Sequence, residues 1–112
     1  MPEKKNSAVV ILMTAPDGAV AESIGRTLVE ERLVACVNIV PGLRSIYRWE
    51  GELQVDAEAL MLAKARLADV DLIVTRVAEL HPYDVPEVLA TEVVAGLGDY
   101  LDWVKDETER GR

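Results

Sequence analysis

One run restricts the fold of this chain more than any other. From Leu53 to Ala65 every odd position is apolar, and Glu52, Gln54, Asp56, Glu58, Lys64 and Arg66 place polar groups on most of the even ones. Period two is the mark of a strand with one buried face. The run also fits a helical template, because Leu53, Ala57, Leu60, Met61 and Lys64 recur at helical spacing and Glu, Ala, Leu, Met and Lys favour helix. Unbroken alternation over such a length is the harder pattern to obtain by accident, so the strand reading is preferred. Its partner lies upstream: Cys36 to Val40, an interruption at Pro41-Gly42, then Leu43 to Trp49, all rich in strand formers. Trp49-Glu50-Gly51-Glu52 is the turn that folds one arm onto the other.

The length of these arms raises a problem of size. A strand advances about 3.3 Å per residue, so an arm of about 15 residues is roughly 50 Å long. A compact domain of this chain length is only about 35 Å across. The hairpin must overhang its own core. An isolated ribbon is marginal in water and its bare edges recruit other chains, so the overhang is expected to pair with or pack on another copy. Leu60 and Leu62 fill even positions only in the last third of the second arm, which points to coverage of both faces there. Glu52 to Glu58 keeps one wet face, as a projecting ribbon would.

The remaining elements follow from shorter patterns. Ala8 to Thr14 is a continuous apolar run bounded by Pro16-Asp17-Gly18, which fits a central strand. Asp17 suits the N-cap of a helix carrying Val20, Ile24 and Leu28 and ending near Glu31-Arg32-Leu33. After the hairpin, Asp69 is expected to cap a second helix with the inward stripe Val70, Ile73, Val74, Val77 and Leu80. That helix must stop at His81, because Pro82 disfavours helical backbone in the residue before it. Glu87 to Val94 reads as a fourth strand stopped by Gly96-Leu97-Gly98, and Asp99 begins a last helix with Tyr100, Trp103 and Val104 facing inward. Glu107 to Arg112 reads as a fraying polar tail. The order strand, helix, strand, strand, helix, strand, helix matches an α+β, ferredoxin-like βαββαβ sandwich with an extra C-terminal helix and helices on one face of an antiparallel sheet. Residues 1–112 form one domain in this reading, with 1–7 and 108–112 as flexible tails.

Composition narrows the function classes. A formal net charge of −8 argues against an electrostatic grip on nucleic acid or an anionic membrane. Half of the residues are hydrophobic, which argues for a folded core. A single cysteine makes no intrachain disulfide and suits a reducing compartment. The segment Met1 to Ser7 is charged, Ala8 to Met13 is too short for a signal core, and no run approaches the ~20 apolar residues of a membrane helix. The expected location is the cytoplasm.

Few residues here carry chemistry. His81 is the only histidine, and no Gly-x-Ser-x-Gly turn or similar nucleophile context accompanies it. It reads either as a helix-terminal residue bonding the last carbonyls or as a metal ligand or polar group at a cleft. Cys36, within Ala35-Cys36-Val37, reads as a small buried hydrophobe. One imidazole and one thiolate fall short of a closed zinc site. An ion site would have to combine His81, Cys36 or a thioether with carboxylates such as Glu58 or Glu87, or use copies of one residue around a symmetry axis. Such soft ligands favour copper or zinc over magnesium, with weak specificity. Gly96-Leu97-Gly98 lacks the third glycine of a dinucleotide fingerprint, and no P-loop is present. Tyr47, Trp49, Tyr83, Tyr100 and Trp103 are the whole aromatic set, and they read either as core and subunit contacts or, for Tyr47 and Trp49 near the ribbon tip, as facing a neighbouring subunit where His81 or Tyr83 would line a shared crevice.

Five fragments then stand in one order and spacing: Ala35-Cys36-Val37-Asn38, Ser45-x-Tyr47-x-Trp49-x-Gly51, Glu58 with Lys64, His81-Pro82-Tyr83-x-x-Pro86-Glu87, and Tyr100-x-x-Trp103. Together, over about Val9 to Lys105, they resemble the CutA family of divalent-cation tolerance proteins. The resemblance implies a ferredoxin-like subunit in a tight, PII-like homotrimer, with long strands pairing between subunits. It also implies a cytoplasmic role in tolerance of copper and other divalent ions. It points to His81, Cys36 and Glu87 as candidate metal ligands, and to Tyr47, Trp49, Glu58, Lys64 and Tyr83 as residues of the inter-subunit cleft. Some relatives carry a cysteine near the position of Met13, where this chain has a thioether.

The expected function is therefore a trimeric protein of divalent-ion tolerance, binding copper or another divalent cation weakly where subunits meet. Its partners are copies of itself and the ion, with no nucleic acid, membrane, organic cofactor or enzymatic activity. The alternative is a PII-like signalling or scaffold trimer that binds a small anionic metabolite or a partner protein, with Lys64 and Arg66 as cationic anchors and no physiological metal.

Overall fold

The alternating run is a strand throughout. β3 (Glu52–Arg66) and its partner β2 (Cys36–Trp49) are the long arms of a hairpin in the computed structural model, which describes residues 7–110. Glu50 and Gly51 close the hairpin as a two-residue loop, both at positive φ, as a turn matching the twist of its strands requires.

Pro41-Gly42 has a specific geometric effect. Val40 pairs with Leu60 but Leu43 pairs with Glu58, so β2 holds one residue more than β3 across this interval. Gly42, at φ +80°, takes the left-handed backbone of such a bulge. One extra residue reverses the face used by every side chain that follows. Before the bulge, Cys36, Asn38 and Val40 share a face with Lys64, Leu62 and Leu60. After it, Leu43, Ser45, Tyr47 and Trp49 share that face with Glu58, Asp56, Gln54 and Glu52, and Arg44, Ile46 and Arg48 turn to the other.

β1 (Ala8–Ala15), α1 (Gly18–Glu30), α2 (Val70–Leu80), β4 (Val88–Glu92) and α3 (Gly98–Glu107) complete the fold. The sheet order is β2-β3-β1-β4, with every neighbouring pair antiparallel. This is the expected α+β, ferredoxin-like arrangement with an added C-terminal helix. The core lies on the odd face of β1 and β3, where Val9, Ile11, Met13, Ala59, Met61 and Ala63 are fully buried against Ile24 and Leu28 of α1 and Ile73 and Val77 of α2. Asp17 caps α1 as expected, its Oδ1 accepting the Val20 N–H at 2.9 Å. The helix ends in a Schellman motif: Arg32 sits at φ 59°, the Leu33 N–H reaches the Leu28 carbonyl and the Arg32 N–H reaches the Val29 carbonyl, each at 3.0 Å. Both leucines are buried, so the motif also places Leu33 in the core. α2 stops at His81, which is extended ahead of Pro82.

Several local expectations are corrected. Asp69 precedes α2 but makes no capping hydrogen bond. It lies in a 3-10 turn, Leu67–Asp69, with its buried carboxylate gripped by Arg66 at 3.0 Å and Arg110 at 2.7 Å. Two guanidiniums outcompete a backbone N–H for one carboxylate. Residues 108–110 are consequently no fraying tail: Thr108 is fully buried, and Arg110 also donates to the Arg32 carbonyl at 2.9 Å. Residues 1–6 and 111–112 of the expected tails lie outside the described residues. β4 is shorter than Glu87 to Val94: its ladder with β1 runs from Val88 to Glu92, and beyond it the Val93 N–H makes one further bond to the Ala8 carbonyl at 3.0 Å. Val74 is exposed, so the stripe of α2 is narrower than its periodicity implied. In α3, Val104 is buried apart from the main core, while Tyr100 and Trp103 remain partly exposed. Tyr100 meets Cys36 and Arg66 meets Thr108, so α3 serves the even face of the sheet, opposite α1 and α2.

The overhang is real. β1 reaches along β3 only to Ala59, so among the described residues Glu52 to Glu58 has β2 as its sole strand partner. The chain measures 46 × 26 × 22 Å. Leu53, Val55 and Ala57 continue the alternation of the buried residues but are themselves exposed, and Leu60 and Leu62 are only half-buried. Both faces of the tip are wet.

The two aspartates that flank helices separate cleanly in a stability measurement. Asp69→Ala leaves two arginines without their carboxylate and is expected to cost about 3 kcal/mol. Asp17→Ala removes one cap and is expected to cost about 1 kcal/mol. Urea unfolding of both variants checks the order; equal losses would contradict the assignment of Asp69.

Candidate functional site

The ribbon leaves the sheet beside the α2–β4 connection, and the two enclose a groove of about 680 Å³. The ribbon contributes Ser45, Ile46, Tyr47, Trp49, Asp56 and Glu58, and the connection contributes Tyr83, Asp84, Val85 and Glu87. Thr14, at the end of β1, forms the floor. The bulge at Pro41-Gly42 is what brings Tyr47 and Trp49 onto the same face as Asp56 and Glu58.

His81 positions this wall from behind. Its ring is buried, its Nδ1 accepts the Tyr83 N–H at 3.1 Å, and its Nε2 donates to the Thr14 carbonyl at 2.8 Å. Those partners assign the proton to Nε2, since an N–H donor can meet only an unprotonated Nδ1. The His81 and Tyr83 rings pack 4.7 Å apart at 52°. Tyr83, so held, donates its hydroxyl to Glu58 Oε2 at 2.8 Å, and Tyr47 donates to the Asp56 carboxylate. Partial burial, the hydrogen bond to Glu58 and the nearby charges push the Tyr83 phenol up to about 12. The bond to Asp56 raises that of Tyr47. Both phenols therefore stay protonated at neutral pH and act as donors that orient carboxylates.

Of the residues singled out from sequence, Tyr47, Trp49, Glu58, Tyr83 and Glu87 meet at this groove. Cys36 and Lys64 do not. They oppose each other at the far end of the hairpin, six residues or roughly 20 Å along β3 from Glu58. Cys36 is half-exposed rather than buried, with Sγ 3.5 Å from the Tyr100 hydroxyl. That hydrogen bond, followed by burial, pushes the Tyr100 phenol up to about 12. Lys64 donates to the Asn38 side chain and, at 3.4 Å, to the Leu62 carbonyl. Arg66 is committed to Asp69 and the Thr108 carbonyl.

The candidate metal ligands His81, Cys36 and Glu87 thus do not converge within the chain, and both ring nitrogens of His81 are already engaged. Among the described residues no group of three or more His, Cys, Asp or Glu side chains could hold a metal ion. A zinc site asks for four ligands and a calcium site for six or more oxygens. The described residues of this chain do not assemble such a set.

Asp56 and Asp84 escaped the sequence reading. A signal existed for Asp56: a two-residue turn places Trp49 opposite Glu52, which aligns Ser45 with Asp56 and leaves Tyr47 diagonal to it. No comparable pattern marks Asp84, which sits in an irregular connection.

Raised phenol values have a definite sign in the pH dependence. A tyrosine free in the unfolded chain titrates near about 10. The stabilisation from Tyr83 and Tyr100 is therefore complete below that pH and is lost as pH rises through about 12. Absorbance near 295 nm should show tyrosinate only late in an alkaline titration. Glu58→Gln should bring one of the late phenols back toward 10, and an unchanged curve would contradict the Tyr83–Glu58 bond.

This geometry can be set beside known proteins. The family model described as CutA1 divalent ion tolerance protein matches residues 9–107. The "Divalent-cation tolerance protein CutA" of Thermus thermophilus is 50% identical over 99 residues, covering 88% of this chain and 96% of that protein. Human "Protein CutA" is 42% identical over 103 residues, which cover 92% of this chain and 58% of the longer human protein. The crystal structure of CutA from Xylella fastidiosa superposes with a TM-score of 0.89 at 42% identity, over 92% of this chain and 99% of that one. On sequence, fold and coverage alike, the chain belongs to the CutA1 family of divalent ion tolerance proteins.

Proposed function

We propose that the protein is a self-associating cytoplasmic binding protein of divalent-ion tolerance, copper included, which works by binding and not by turnover. The observation that carries this reading is the overhanging ribbon. Its tip exposes Ile46, Leu53 and Val55, and the β4 side exposes Leu89, Val94 and Leu97. β2 and β4 are the two edges of the sheet. Apolar surface of this extent beside open strand edges is what a neighbouring copy covers. A closed homotrimer of the PII-like kind satisfies each ribbon with the next subunit.

Ion binding belongs to the places where copies meet. Asp56, Glu58 and Glu87 offer oxygen ligands at the groove, and a neighbour completes the set. Binding is weak because two of these carboxylates already accept tyrosine hydroxyls. His81 and Cys36 would each have to give up a hydrogen bond to join. The family description and the names of the relatives support divalent-ion tolerance as the process served. The single cysteine supports a reducing compartment. The absence of a nucleophile beside His81, among the described residues, supports binding without catalysis.

The metabolite-sensing alternative is less well supported. Its cationic anchors, Lys64 and Arg66, are both engaged, and no lysine or arginine lines the groove among the described residues.

Sedimentation at low micromolar concentration should give a three-chain species, and a stable folded monomer would overturn the reading. Leu53→Asp with Val55→Asp should shift that species toward smaller ones. Calorimetric titration with copper(II) should show weak saturable binding, reduced about tenfold by Glu58→Gln with Glu87→Gln, a loss of about 1.4 kcal/mol. An isotherm unchanged in the double variant would remove the groove as the ion site.

A further inference from the structure

We propose that the groove between the ribbon and the α2–β4 connection binds a small substituted ammonium ion. The groove has about 680 Å³, within the range of small-molecule sites. Its walls combine three aromatic rings, Tyr47, Trp49 and Tyr83, with the carboxylates of Asp56, Glu58, Asp84 and Glu87, and among the described residues no lysine, arginine or histidine lines it. Two features of this wall separate an organic cation from a metal ion. First, a metal ion needs ligands that converge on a point, and no three acidic or imidazole groups in the described part of the subunit do so. The negative charge is spread along the wall, which suits a cation whose own charge is spread over alkyl groups. Second, aromatic faces attract weakly hydrated cations that shed water cheaply, and the ring of Trp is the strongest such face.

The hydrogen bonds fix the rings for this purpose. Tyr83 is held at its backbone by His81 and at its hydroxyl by Glu58, so its plane is set before any ligand arrives. Tyr47 is tied to Asp56 in the same way. Each bond uses one carboxylate oxygen and leaves the other to balance a positive charge in the groove. Trp49 is half-exposed near the ribbon tip and so presents an indole surface at the mouth. The groove shares Asp56, Glu58 and Glu87 with the ion site proposed above, so the organic cation and a metal ion would compete for it, and its use by an organic cation requires that the groove stay open in the assembly.

The test is calorimetric titration of the full chain with tetraethylammonium chloride, matched against sodium chloride at equal ionic strength. Saturable binding of one ion per chain is expected with the organic salt and none with sodium. Trp49→Ala and Glu58→Gln should each weaken it about tenfold, while Tyr83→Phe, which keeps the ring but releases it from Glu58, should weaken it by a smaller factor. Thermal unfolding and sedimentation of the variants show that they remain folded and assembled. Absence of saturable heat, equal heats with sodium, or undiminished affinity in Trp49→Ala would overturn the proposal. A three-chain species that binds copper(II) but not tetraethylammonium would overturn this inference alone, whereas a monomer that binds tetraethylammonium would overturn only the assembly.

Discussion

Main-chain pairing along β3 is the interaction on which the rest of the fold depends. Its second half is held between β2 and β1, and its odd side chains form the floor on which α1 and α2 sit. Its first half has only β2 beside it among the described residues. A sheet this long with a core this short leaves backbone edges and apolar side chains exposed on the described chain. The groove exists because of the same mismatch, since it forms where the ribbon departs from the sheet and the α2–β4 connection closes against it.

The chemistry of the groove is built from outside inward. His81 is buried behind the groove wall, and its two hydrogen bonds link the end of β1 to Tyr83. Tyr83 in turn orients Glu58 on the ribbon. Three separate elements are thereby joined through one neutral imidazole and one phenol. Within the described residues, the lone histidine of the chain acts by positioning Tyr83.

Much of the fold was legible because its signals are local and periodic. Alternation from Leu53 to Ala65 identified β3, Pro82 fixed the end of α2, and Asp17 marked the start of α1. Length alone exposed the overhang. What stayed hidden depends on contacts between distant residues. Asp69 looks like a cap until Arg110, far along the chain, takes its carboxylate. Thr108 looks like part of a tail until the same contact seats it. At the site, the aromatic and acidic residues of the ribbon were recognisable from their motif, but Cys36 and Lys64 stand at the opposite end of the hairpin. Spacing along a strand becomes distance in space, and a motif read as a string does not convey it.

The bulge at Pro41-Gly42 sets a rule for how this hairpin can vary. Exchanging its residues alters the comfort of the backbone, but removing one would leave every main-chain pair available while turning Tyr47 and Trp49 away from the acids and Arg44 and Arg48 toward them. Such a deletion acts like a frameshift written in three dimensions, in which the message downstream is intact but is read on the wrong side. Residue count in this segment is therefore constrained more tightly than residue identity.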